Sequence, residues 1–442
     1  MNSRITATAL ASILALGAGI APACADEVSE LKAALQALQK RLDTLESKAK
    51  EAEDTNDRQT DQIAKVRSNV GSWVGNFTWK GDMRYRNETI DQEYVANRNR
   101  DRIRLRTGFV AKVNDTIKTE VQLATSEAAA VGAADPRSSN QTLTGENTRK
   151  GIYVDLAYVE WQPHADWKFV GGKMKYPWVR PAANGYFFDN DVNPEGLAVN
   201  FAHGALFMNG FYNILEERGP AAASLTTPRV ANAESTMAGA QLGYKFTLNA
   251  DTKLTLATAY FSHNAIQGWN GAYNAGFNGN TTKTTACHTG IATCYAYGYQ
   301  VWETFGELTT MLANRPFALH ADYAKNSEAS NGLDTAYSLG VTYGKASDPG
   351  TWEVGYIWNH IEKDSLYGQY IDSDFGAGNS DAEGSVFKFG YAPARNWTLN
   401  ATYFLNETNI ASGNATSAFK VGTLTGWNRG YNRLQLDLNF KF

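Results

Sequence analysis

From Trp73 to the last residue, apolar and polar side chains alternate at every second position. Phe77, Trp79, Gly81, Met83 and Tyr85 alternate with Thr78, Lys80, Asp82, Arg84 and Arg86. Ile103, Leu105, Thr107 and Phe109 alternate with Arg102, Arg104, Arg106 and Gly108, and the chain closes on Leu434, Leu436, Leu438, Phe440 and Phe442 set between Gln435, Asp437, Asn439 and Lys441. A period of two is that of a β-strand, so each run presents one apolar and one polar face. About sixteen such segments are predicted, near 74–86, 100–113, 116–126, 150–162, 166–176, 195–203, 205–216, 236–249, 252–263, 296–311, 316–325, 333–345, 351–362, 383–391, 397–408 and 429–442. A soluble sandwich would show the same alternation. Connection lengths separate the two cases. Joins after even-numbered strands are tight, as at Asn114-Asp115, Gly204, Ala250-Asp251 and Asn314-Arg315, whereas those after odd-numbered strands are mostly long, as in 127–149, 217–235, 264–295 and 409–428, with a short exception around 326–332. One trimmed rim and one elaborated rim is the arrangement of outer-membrane barrels, which close because hydrocarbon offers an unpaired strand edge no partner. The predicted fold over 73–442 is an all-β transmembrane antiparallel barrel of about sixteen strands, fourteen and eighteen being the neighbouring counts. At that size the lumen is expected to stay wet.

Upstream the period changes. Counting heptads from Val28 puts Val28, Leu31, Leu35, Leu38, Leu42, Leu45, Ala49, Ala52, Asn56, Gln59, Ile63, Val66 and Val70 in one narrow seam. A sustained seam of that width predicts an N-terminal α-helical coiled coil over 26–72, its seam from 28 to 70 roughly 65 Å long if fully helical, with dimer and trimer both open. Before it, Arg4, an apolar run from Ile5 to Ile20 and the alanines of Ala21-Pro22-Ala23-Cys24-Ala25 read as a secretory signal peptide over 1–25, cleaved after Ala25. A lipid-modified Cys24 is the rarer alternative. Export leaves Cys287 and Cys294 in an oxidising compartment, where a disulfide between them would close a small loop, worth about 2.5 kcal/mol in the chain-entropy model.

Composition agrees with strands and turns: 442 residues with Gly 39, Tyr 22, Phe 20 and Trp 11. A formal net charge of −4 argues against a nucleic-acid partner. Mean hydropathy is −0.40, and past residue 25 no apolar run is long enough for a membrane helix. The histidines are scattered without metal-ligand spacing, and no phosphate loop, nucleophile elbow or haem motif occurs, so neither a cofactor nor a metal is expected and the chain reads as no enzyme.

A signal peptide, a coiled coil and an alternating barrel ending in Phe442 together resemble the putative porins of Gram-negative outer membranes, and more distantly the phosphate-selective porins. Local matches are 98–106 (RNRDRIRLR), 155–161 (DLAYVEW), 171–177 (GGKMKYP) and 188–196 (FDNDVNPEG). The resemblance implies a homotrimer of water-filled pores in outer-membrane lipid with the coiled coil in the periplasm, and it favours a trimeric stalk because one axis can serve both parts.

Two charged sets would carry the function. Arg98, Arg100, Arg102, Arg104 and Arg106 share one parity, with Lys80, Arg84 and Arg86 facing the same way on the preceding strand. Neighbours on one face stand about 7 Å apart. Facing lipid, each arginine would cost a few kcal/mol, so the column is expected to face inward, where it offers anions successive weak sites. The competing reading is a structural column neutralised by Asp82, Glu120 and other wall carboxylates. The connection 177–194 corresponds, in the resemblance, to the loop that trimeric porins fold into the lumen. There Arg180, Asp189 and Asp191, with Glu195 just beyond, would line a constriction opposite the arginines and set up a transverse field. A calcium site at Asp189, Asp191 and Glu195 is the alternative, without EF-hand spacing. The expected function is passive diffusion of small hydrophilic solutes and ions, with anions favoured. The alternative is a structural tether joining outer membrane to cell wall through the coiled coil.

Overall fold

The computed structural model describes residues 25–69, 74–93, 95–127, 134–218, 234–271, 276–288, 290–411 and 429–442. All of the signal segment but Ala25, Cys24 included, therefore lies outside the described residues, as does Val70. The chain divides into two compact units, 1–75 and 76–442.

In the first unit a single helix, α1, runs Ala25–Asn69. Five of its seam residues find no cover within the unit: Leu38 is 65% exposed, and Leu35, Leu42, Leu45 and Ile63 are exposed too. Among the described residues no helix is long and apolar enough to cross a membrane.

The second unit is a closed antiparallel barrel of sixteen strands. They are β1 (Phe77–Gln92), β2 (Arg98–Lys112), β3 (Ile117–Thr125), β4 (Ile152–His164), β5 (Trp167–Lys173), β6 (Glu195–His203), β7 (Leu206–Glu216), β8 (Ser235–Thr247), β9 (Lys253–Asn264), β10 (Tyr299–Leu312), β11 (Arg315–Asn326), β12 (Thr335–Gly344), β13 (Trp352–Ile361), β14 (Ala382–Ala394), β15 (Trp397–Thr408) and β16 (Arg429–Lys441). Each pairs with the next, and β1 pairs with β16 from Asp82↔Lys441 to Gln92↔Tyr431, which removes both edges. The terminal residue takes part in closure: Gly81 N–H donates to the Phe442 carbonyl at 2.8 Å, and Phe442 N–H returns to Gly81 at 3.0 Å. Tight turns join even strands to odd ones. Between β10 and β11, Ala313 and Asn314 both take positive φ, 48° and 61°, the conformation a two-residue hairpin needs to match strand twist.

Side-chain parity follows the sequence pattern. Trp79, Met83, Tyr85, Leu242, Leu339, Leu434 and Leu436 are large, apolar and exposed on the outside, while Arg86, Glu88, Arg102, Glu120, Asn209 and Gln435 are buried on the inside. Apolar side chains without protein cover, on strands whose other face is charged, are what a lipid exterior requires. Three departures stand out. β1 runs to Gln92, past the predicted 86, because Asn87 to Ile90 still pair with both β2 and β16, and Asp91 and Gln92 with β16, although their side chains no longer alternate in polarity. β5 ends at Lys173, so its loop leaves the wall early, with Met174 already buried. A register shift opposite Gln122 and Leu123 skips one residue of β4 and so keeps Val154 and Val159, of opposite parity, both exposed outside.

The lumen is not wholly wet. Connections 174–194 and 362–381 fold into it and bury Trp178, Phe187, Phe188, Leu366, Tyr367, Tyr370 and Phe375 against inward wall residues such as Phe211, Phe261, Val301 and Ile357. A sixteen-stranded wall encloses more space than its own side chains fill, and these two loops supply an apolar core for one side of it.

Candidate channel constriction

β1, β2 and β16 bring their inward residues onto one charged strip. Neighbouring strands in register place Arg84 opposite Arg104 and Arg86 opposite Arg102, and Arg86 opposite Asp437 across the closure. The arginine column thus stands as a double row, and carboxylates interleave it. Arg86 grips Asp437 with Nε and Nη2 at 2.7 and 2.8 Å, a two-point geometry suited to guanidinium and carboxylate. Asp82 takes Arg104 at 2.6 Å and Arg106 at 2.8 Å. Glu88, fully buried, pairs with Arg100, accepts from Arg433 Nε at 3.1 Å and lies 3.8 Å from Arg102. Arg102 also reaches Glu127 at 3.4 Å, and Arg84 lies 3.8 Å from Asp437 while donating to Asn140. Lys80 pairs with Glu120. Arg98, at the start of β2, is exposed and joins no pair among the described residues.

Arg433 and Asp437 were not singled out from sequence, although the parity of β16 places both inside. Nor was Asp374, which comes from the loop 362–381 and meets Arg86 at 3.1 Å, Arg433 at 2.8 Å and Gln435 at 2.8 Å. The signal for that loop was its content: Leu366, Tyr367, Tyr370, Ile371 and Phe375 are poor company for a connection standing in water.

The loop 174–194 is held at several points. Gln241 on β8 both accepts from Val179 N–H and donates to its carbonyl, each at 2.8 Å, and Ala182 N–H donates to Glu307 on β10 at 2.7 Å. Arg180 is tied to its own loop, donating to the Phe188 carbonyl at 2.6 Å and lying over the Tyr176 ring at 4.5 Å. The two inward loops also clasp each other: Asp189 N–H donates to the Tyr370 carbonyl at 2.6 Å, and Ser373 N–H donates to the Asp189 carboxylate at 2.8 Å. Asp191 faces the arginines, 3.7 Å from Arg106, and accepts from Ser139 at 3.0 Å. Asp189 instead faces the loop junction, and Glu195, on β6, pairs with Lys173 at 2.8 Å away from both. Among the described residues no group of three or more His, Cys, Asp or Glu side chains is arranged to hold a metal.

Electrostatics separates these carboxyls. Burial pushes Asp189 well above the usual carboxylate range, with Asp372 and Asp191 adding to the effect. Asp372 is pushed up to about 6 by burial and by Asp374 beside it. Burial opposes ionisation of Asp191 as well, but Arg104, Arg106 and Arg84 hold it below the ordinary value. Asp374 is likewise held low against its burial, by Arg433 and Arg86.

Space remains beside the loop. A cavity of about 400 Å³ is bounded by Asp82, Arg106, Gln122 and Asp155 on the wall and by Lys175, Arg180 and Asn193 across from it. A second, of about 420 Å³, lies against β4 to β8. Cys287 and Cys294, in the connection between β9 and β10, are joined by a disulfide with Cα atoms 5.7 Å apart, in a loop whose short hairpin pairs Lys283 with Cys294.

A family model described as Putative porin matches residues 91–295, from the end of β1 into the β9–β10 connection. No curated protein matches. Among solved structures, the high-pH structure of OprB from Pseudomonas putida has 12% identity, covers 86% of this chain and 97% of its own, and superposes with a TM-score of 0.51. In-vitro folded OmpT of Vibrio cholerae, in its trimer form, has 13% identity over 83% of this chain and 99% of its own, with a TM-score of 0.45. The chain is therefore similar to the outer-membrane porins: a Putative porin segment set within a closed barrel of sixteen strands of the porin type.

Proposed function

We propose that the barrel is a passive, water-filled channel for small hydrophilic solutes and ions in the outer membrane of a Gram-negative cell, and no enzyme. One observation carries the reading: a closed wall is apolar outside and charged inside, and loops narrow its lumen without using up the space beside them. The charged strip sets seven arginines, 84, 86, 100, 102, 104, 106 and 433, against six carboxylates, Asp82, Glu88, Glu127, Asp191, Asp374 and Asp437. So nearly balanced a strip supports a mild anion preference, not a strong one, because a paired charge presents a dipole to a passing ion. The exposed leucine seam of α1 supports a stalk made by copies of this chain, with three matching a homotrimer; export by residues 1–25 and a periplasmic stalk, with cell-wall attachment built on it, complete the reading. The test is swelling of liposomes loaded with purified protein. Entry rates should fall with sugar size from a pentose to a disaccharide, and liposomes that stay osmotically tight to every sugar and to salt would refute the channel.

A further inference from the structure

We propose that the cavity against β4 to β8 is a subsite for small aromatic carboxylates, an inference that rests on the channel reading and names a solute class for it. The cavity, about 420 Å³, is of the size that binds small organic molecules. What distinguishes it from the arginine strip is uncompensated positive charge beside ring faces. Glu120 serves two ammonium groups at once, Lys80 and Lys175, the latter at 2.9 Å, and it also accepts from Tyr158 at 2.7 Å. Lys168 has only a loose partner, Glu160 at 3.7 Å. Lys245 has no carboxylate oxygen within 4.0 Å among the described residues; its ammonium stands 5.5 Å from the centroid of Phe207. Four lysines thus meet two carboxylates, and three of the four, Lys168, Lys175 and Lys245, line the cavity.

The rings are fixed in place. Phe207 on β7 lies over the bare backbone of Gly243 on β8, where an added Cβ would sit 2.1 Å from the ring, so any larger residue at 243 would displace it. Trp178 is buried against Phe211, with centroids 4.5 Å apart, and its backbone neighbour Val179 is held at both N–H and carbonyl by Gln241. A planar ring can pack against the edges that these two nearly buried rings present to the cavity while its carboxylate meets Lys245 and Lys168. A bare inorganic anion would use only the lysines, and an aromatic cation would be repelled by them.

The test is calorimetric titration of the full-length protein in detergent with benzoate, inorganic phosphate and benzylammonium, alongside conductance of the same preparation in potassium chloride. Benzoate should bind in the millimolar range, roughly tenfold tighter than phosphate, and benzylammonium should give no heat. Lys245→Gln should weaken benzoate binding about tenfold, and Lys245→Arg should restore it, with circular dichroism verifying that both variants fold. Phosphate binding as tightly as benzoate, or benzoate binding unmoved by Lys245→Gln, overturns the proposal; so does absence of benzoate heat. Benzoate binding by a preparation that forms no conducting pores sustains the subsite and defeats the channel reading alone.

Discussion

Glu88→Gln removes a carboxylate that lies within 4.0 Å of three arginines, Arg100, Arg102 and Arg433. The side chain is fully buried, Arg433 and Arg102 are nearly so, and Arg100 has Glu88 as its ion-pair partner. After substitution Arg102 keeps Glu127 and Arg433 keeps Asp374, but Arg100 is left without a carboxylate in a low-dielectric strip crowded with like charge. Breaking a buried pair from one side costs about 3–5 kcal/mol, and since two of the three arginines retain partners the lower end applies, about 3 kcal/mol. The same change adds one positive charge to the lumen. At roughly 8 Å from an ion in water that is worth about 0.5 kcal/mol, favourable for an anion and unfavourable for a cation, so the permeability ratio should move roughly fivefold toward anions. Two assays read these separately: denaturant unfolding of the detergent-folded protein, and reversal potential across a tenfold potassium chloride gradient. A variant as stable as the parent with an unmoved reversal potential would refute the pairing scheme and the inward facing of the column together.

The remaining expectations concern the loops and the helix. Asp372 is pushed up to about 6 from an ordinary 3.8, so its contribution to the loop junction is complete below about 4 and is lost as pH rises through 6; current fluctuations should grow between pH 5 and 7.5 and grow less in Asp372→Asn, where Asp189 is the raised carboxyl left at the junction. Trp178→Ala empties a site walled by Phe211, Phe188 and Phe261, which should cost about 3–5 kcal/mol in unfolding and raise single-channel conductance as the loop loosens. Leu38→Asp with Leu42→Asp should abolish chemical cross-links between the helices of different copies while leaving conducting barrels, as seen by gel and by bilayer recording of one preparation.

Much of the wall was legible because lipid and water make opposite demands on successive residues. About sixteen segments follow from that period, and the inward facing of Arg84, Arg86, Arg102, Arg104 and Arg106 follows once connection lengths point to a barrel and lipid excludes their charge. The ends were less clear where one demand lapses: beyond Tyr85 strand β1 continues to Gln92 through Asn87, Glu88 and Thr89, whose polar side chains on both faces hide a ladder still fully paired. Pairing partners were the least legible. Asp374 reaches Arg86 across 288 residues of sequence, and Asp437 does so only because the barrel closes, so no local pattern announces either contact. In the loop 177–194 and just past it, spacing grouped Asp189, Asp191 and Glu195, whereas folding sends them to the junction, the arginines and Lys173 respectively. A loop core has no period, and only its surplus of buried aromatics distinguishes 362–381 from an ordinary surface connection.

Single-channel recording of the purified full-length protein in a planar lipid bilayer decides whether the barrel conducts. Discrete current steps are expected, linear in voltage at low field, with a reversal potential displaced slightly toward the anion. Membranes that remain silent despite folded, heat-modifiable barrels in the bilayer, or a clear preference for cations, would contradict that expectation.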